Sequence, residues 1–131
     1  MTELLAFTFT LLIVFQLKQL GGDYVLQTGW MVHGKAQPGW GFIFPLSVHV
    51  GVHALTTLAI IYIVNPALWF LALFDFALHF IMDRIKASRN GLGRYNNIEK
   101  SSYWISYGID QMVHHLTHYG IIYWLVQDRF F

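Results

Sequence analysis

Hydrophobic residues fall in four long runs along this chain, separated by polar or glycine-rich joints. The runs cover residues 3–20, 45–64, 66–86 and 102–127. A helix of about 20 residues rises about 30 Å, the thickness of a bilayer's hydrocarbon core, so each run predicts a membrane-spanning helix. Asn65-Pro66 separates the second run from the third. It stops one helix and restarts the next, because proline suits a helix's first turn. So short a joint makes an antiparallel hairpin. The fourth run has Tyr103 and Trp104 at one end and Tyr123 and Trp124 at the other. On a helix these pairs lie about 30 Å apart, the separation of the aromatic belts at the two membrane surfaces. This run is therefore expected to span in spite of its polar middle.

The joints differ in kind. Residues 86–100, KASRNGLGRYNNIEK, are too charged for lipid and predict a solvated loop. Residues 21–44 mix glycine, tryptophan and polar residues without a spanning run, and a short interfacial helix is expected at 23–32. The first run opens on Glu3 rather than on basic residues and lacks a small-residue cleavage site, which argues for a membrane helix over a signal peptide. The expected fold is all-α: an integral membrane four-helix bundle with a short interfacial segment between helices one and two. Residues 1–131 form one transmembrane domain.

Composition strengthens the membrane reading, since 56% apolar against 11% charged residues is the wrong balance for a soluble globule of this size. The formal net charge of +1 argues against a nucleic-acid partner. Five of the eight basic residues, Arg84, Lys86, Arg89, Arg94 and Lys100, fall in one stretch. By the positive-inside tendency that stretch is cytoplasmic, together with Lys18 and Lys35. A multi-pass inner-membrane protein with both termini outward follows. Cysteine is absent, so a metal would have to be held by nitrogen and oxygen.

Candidate chemistry lies within the runs. Helix two carries His49 and His53, helix three Asp75, His79 and Asp83, and helix four Asp110, His114 and His118 with His115 beside them. A step of four residues turns the side chain by only about 40°, so each set occupies one helix face. Ionisable groups in spanning helices face the bundle interior and mark functional sites by default. Counted from the inner helix ends, His53, His79 and Asp110 lie about 12 Å deep at 1.5 Å per residue. On that count His49 and Asp83 are shallower, Asp75 and His114 deeper, and His118 deepest. An isolated HxxxH is more often a hydrogen-bonded pair than a ligand pair, but three stripes at matched depth favour a metal site over a proton network. Its expected ligands are His49, His53, His79, Asp83, Asp110, His114 and His118. The stack is taller than one coordination sphere, which suggests two metals or one with an extensive outer shell. Zinc suits imidazole and carboxylate, with iron or manganese as alternatives. Gln16, Lys18 and Asp23 are placed at the inner edge of the bilayer, and His33 in a surface loop. His115, about 60° from His118 around the helix, is placed beside the ligands rather than among them.

Four segments carry a resemblance. FQLKQLGGDYVLQT, PLSVHVGVHAL, FDFALHFIMDRIK and DQMVHHLTHYGIIYWL, in this order, resemble small bacterial and phage membrane proteins grouped as domain of unknown function 3307. The likeness covers nearly the whole chain; it implies architecture and carries no activity. More distantly, HVGVHALTT and LHFIMDRIK are similar to the histidine-rich segment and a later His- and Asp-bearing helix of inner-membrane metal-dependent hydrolases. Val50 stands where those proteins usually have arginine.

The leading functional expectation is a membrane-embedded zinc-dependent hydrolase acting on a lipid or lipid-linked substrate at the inner membrane face. Asp23 or Asp75 would be the general base and His115 the general acid. A second enzyme class is a membrane di-iron oxidase or hydroxylase, because HHLTH resembles the histidine clusters of lipid desaturases. Two non-enzymatic alternatives are an ion or proton carrier, which would require an oligomer, and a host-interaction protein that uses the polar layer to lock its helices together.

Overall fold

The computed structural model describes all 131 residues and contains helices without strands. Helix α1 spans Thr2–Leu20 and runs directly into a π-helical turn, Gly21–Val25. A short helix α2, Gly29–Gly34, follows, and then α3, Ile43–Val64. After a 3-10 turn at Pro66–Leu68 come α4, Phe70–Ala87, a second 3-10 turn at Leu92–Arg94, and α5, Ser101–Phe130. Three segments, Thr2–Val25, Ile43–Val64 and Pro66–Arg94, are long and apolar enough to cross a membrane.

Local chemistry explains the joints. Asn65 is extended, with φ of −157°, and its Oδ1 accepts the Ala67 N–H at 3.0 Å, closing α3 and opening the proline turn before α4. Thr28 starts α2 by accepting the Met31 N–H on its hydroxyl at 3.4 Å. The single interfacial helix expected at 23–32 does not form. Its first residues prolong α1, because the Asp23 side chain turns into the protein, and its last ones belong to the separately capped α2.

Helix α3 packs along α4, α4 along α5, α5 along α1, and α1 also touches α3. The interior these helices enclose has two halves. Leu11, Phe15, Ile61, Leu71, Ile121 and Leu125 fill the end near the chain termini with an apolar core. Toward the α4–α5 connection the interior is polar, with His53, Asp75, His79 and His118 at 0% exposure. Outward-facing Leu5, Phe9, Ile13 and Leu17 instead form an exposed stripe on α1. Apolar side chains outside and ionisable ones inside invert the pattern of a water-soluble domain and match a lipid surround.

Candidate metal centre

The polar interior is assembled from three i,i+4 stripes and one π turn. His49 and His53 come from α3, Asp75, His79 and Asp83 from α4, and Asp110, His114 and His118 from α5; all eight are buried. Asp23 joins them from the π turn after α1. A π turn inserts one extra residue into the helix and re-aims the side chains that follow. Gly22 makes room for it: a Cβ there would run into the His53 ring, so only glycine lets the turn lie flat against that imidazole.

At the end nearest the α4–α5 connection, carboxylate oxygens and imidazole nitrogens converge. Asp23 Oδ1 lies 3.0 Å from His53 Nε2 and 3.4 Å from His49 Nε2. Asp83 spans two neighbours, with Oδ2 3.1 Å from His49 Nε2 and Oδ1 3.2 Å from His114 Nε2. Asp110 Oδ1 is 3.8 Å from His114 Nδ1. Zinc bonds of 2.0–2.1 Å in a tetrahedron set ligand atoms about 3.3 Å apart, so these separations suit ligands around a shared cation. His53 and Asp23 are aligned as a hydrogen bond, whereas several neighbouring atoms are not. His49 Nε2, both His114 nitrogens and Asp110 Oδ1 are buried without a partner in hydrogen-bonding alignment, although carboxylates or imidazoles stand close by. Unsatisfied buried polar atoms each cost about 1–3 kcal/mol, a penalty that coordination would relieve.

Behind this cluster three imidazoles stack. His79 lies between His53 and His114, with ring centroids 4.2 and 3.9 Å away. Asp75 Oδ1, 3.2 Å from His79 Nδ1, can only accept, so Nδ1 carries the proton and buried Nε2 is left with a free lone pair. Asp75, Lys18 and His118 close the deep end, against Phe15.

The expected stripes do meet in one interior, but the register of α5 differs by a turn from the depth count. His114, not Asp110, is level with His79; His118 is level with Asp75, and Asp110 with Asp83. Equal starting depths were assumed for the helices, whereas the first turn of α5 lies farther out. The structure also moves Lys18 from the inner edge into the interior, where its side chain is 2% exposed. It is not one of the flanking cations that report topology.

Among the residues expected to act as acid or base, Asp23 reaches the converging cluster. Asp75 is at 0% exposure, with its oxygens engaged by Lys18, Thr57 and His79. His115 is half-buried on the side toward α1, 3.2 Å from Gln16, and stands outside the acid–histidine groups. His33 is exposed. The sequence reading passed over Gln19 and Gln111, whose amides donate to Asp23 Oδ2 at 2.6 and 3.2 Å and turn Oδ1 toward the histidines. The Gln19–Asp23 step of four residues was the available sign.

A cleft of about 360 Å³ opens onto the cluster, with Asp23, Asp83, Asp110 and Gln111 in its wall. Lys35, Lys86 and the mutually hydrogen-bonded hydroxyls of Tyr24 and Tyr107 rim it. Lys35 Nζ is 2.9 Å from Asp83 Oδ2 and 2.7 Å from Gln27 Oε1. At the same end a second cavity, of about 750 Å³, is lined by His33, Arg84, Arg89 and Asn90.

Comparison with known proteins gives one match. The model of a family described as Protein of unknown function (DUF3307) matches residues 9–129. No curated protein and no solved structure matches the chain.

Proposed function

The chain belongs to the DUF3307 family, and we propose that it is a membrane-embedded metal-dependent hydrolase acting on a lipid or lipid-linked substrate. The observation that carries this reading is a pair of acid–histidine groups, Asp23–His49–His53 and Asp83–Asp110–His114, linked by the 3.1 Å approach of His49 to Asp83 and reaching an open cleft through their three carboxylates. Zinc is the favoured metal, with iron or manganese as alternatives, because the donors are imidazole and carboxylate without thiolate. Bound zinc would supply Lewis-acid polarisation and a water acidified to a pKa of about 7. Asp23 and Asp110 reach the cleft, and whichever of them did not hold the metal would serve as the general base. The closed surroundings of Asp75 leave it outside that role.

Basic groups at the same end favour an anionic substrate. Lys35 and Lys86 edge the cleft, and Arg84 and Arg89 line the neighbouring cavity, where a lipid headgroup would be drawn. Transport of ions or protons is the weaker reading. The stacked imidazoles form a ladder, but it stops at Lys18 and His118 against Phe15, and the apolar core occupies the rest of the interior. The test is hydrolysis itself. Purified protein in detergent micelles containing phospholipids and carboxylic-ester lipids should release product, lose that activity to a chelator and regain it with zinc. Metal-loaded protein that cleaves neither ester class would refute the hydrolase.

We also propose four membrane crossings, α5 being the fourth, in the inner membrane, with the α4–α5 connection cytoplasmic and both termini outside. Lys35, Arg84, Lys86, Arg89, Arg94 and Lys100 then share the cytoplasmic end, leaving Arg129 as the outer basic residue. A cysteine introduced as Leu92→Cys should react with an impermeant thiol reagent only after the cytoplasmic side is opened. Labelling from the outside of intact cells would invert the topology.

A further inference from the structure

We infer that Lys18 is a built-in cation that occupies the deepest acid–histidine group and keeps metal out of it. Three such groups exist: Asp23–His49–His53, Asp83–Asp110–His114 and Asp75–His79–His118. By residue type and burial the third is as good a metal site as the others. What separates it is a buried ammonium bonded to two of its three members, whereas Lys35, at the mouth of the cleft, reaches only Asp83 of the middle group. Lys18 Nζ donates to Asp75 Oδ2 at 2.7 Å and to His118 Nε2 at 2.9 Å. Thr57 donates a hydroxyl proton to the same Asp75 oxygen at 2.6 Å, and His79 Nδ1 takes the other oxygen at 3.2 Å. A divalent ion would need those same lone pairs at about 2.0–2.1 Å, so it cannot enter without displacing the ammonium.

The fold of α1 shows how this arises. Lys18 and Asp23 are five residues apart, which on a regular α-helix would separate their directions by about 140°. The π turn at Gly21–Val25 widens the helix at that point, and both side chains enter the interior. One helix end thus contributes an acid to the open cluster and a cation to the closed one. Metal is thereby confined to the end of the ladder that meets the cleft. The deep group instead positions His79, whose proton Asp75 holds on Nδ1.

This inference rests on the proposed metal centre, and its test separates the two. Metal per chain would be measured by elemental analysis after zinc loading for the wild type, Lys18→Ala, His118→Ala and the Lys18→Ala/His118→Ala double variant. Lys18→Ala should hold one ion more than the wild type, and the double variant should return to the wild-type count. His118→Ala alone should leave that count unchanged. A folded Lys18→Ala protein with no extra ion, judged by helical circular dichroism and monodisperse elution, would overturn the inference. So would a wild-type count that falls on His118→Ala, an arm that stands even if Lys18→Ala does not fold. A metal-free wild type beside a Lys18→Ala variant holding one ion would sustain this inference while removing the proposed centre.

Discussion

Alanine at position 53 should strip the protein of metal. The His53 ring is at 0% exposure, its Nε2 is 3.0 Å from Asp23, and it stacks on His79. Its loss would remove one of the proposed ligands and open a void beside Gly22. Removing even an outer-shell partner of a metal ligand costs about 10–100-fold in affinity, so removal of the ligand should cost more. His79→Ala should also lower occupancy, by deleting the ring held between His53 and His114. His33→Ala should leave occupancy at the wild-type level, because that ring is exposed and outside all three acid–histidine groups. Protons compete with metal for imidazole nitrogen, so occupancy should also fall as the buffer is acidified. Elemental analysis of the purified proteins decides the matter. Wild-type protein that stays metal-free after exposure to zinc, iron and manganese would leave a proton or hydrogen-bond network as the use of these residues.

The largest loss of stability should follow Asp75→Ala. It leaves the Lys18 ammonium buried without its carboxylate and Thr57 and His79 without an acceptor. Breaking a buried pair by deleting one partner costs about 3–5 kcal/mol, chiefly because the surviving charge has no compensation. Replacing both charges by apolar residues of similar volume is often neutral or better, so Lys18→Met combined with Asp75→Val should recover a large part of the loss. Reversible unfolding of the detergent-solubilised proteins by denaturing surfactant would measure both. If Asp75→Ala unfolds like the wild type, the buried ion pair has no energetic role. If the double variant is as unstable as the single one, the uncompensated charge is not the cause.

Much of this was legible in local pattern. The stripes on α3, α4 and α5 follow from the four-residue step, because a helix that repeats every 3.6 residues must place such residues on one face whatever surrounds it. That those faces point inward follows from the cost of ionisable groups in lipid. The break between α3 and α4 is carried by Asn65 and Pro66. The depth of α5 was not legible in this way. The connection of residues 88–100 leaves the helix free to slide by a turn, and its level is decided by which rings stack, His114 on His79 in the event.

The amino-acid sequence by itself determined an all-helical chain with four long apolar runs, of which three are long and apolar enough as helices to cross a membrane, acid and histidine stripes on the later helices, and a donor set without sulfur. Each of these is a property of one segment and its own period. Only the tertiary structure decided that α1 continues through a π turn, that Asp23 reaches His49 and His53, that Lys18 is buried against Asp75 and His118, and that Gln19 and Gln111 aim Asp23. The physical reason is that, apart from the local Gln19–Asp23 step, these depend on partners from other helices. A lysine 57 residues from its aspartate and 100 from its histidine looks like a surface cation at the end of a helix until packing removes the water around it.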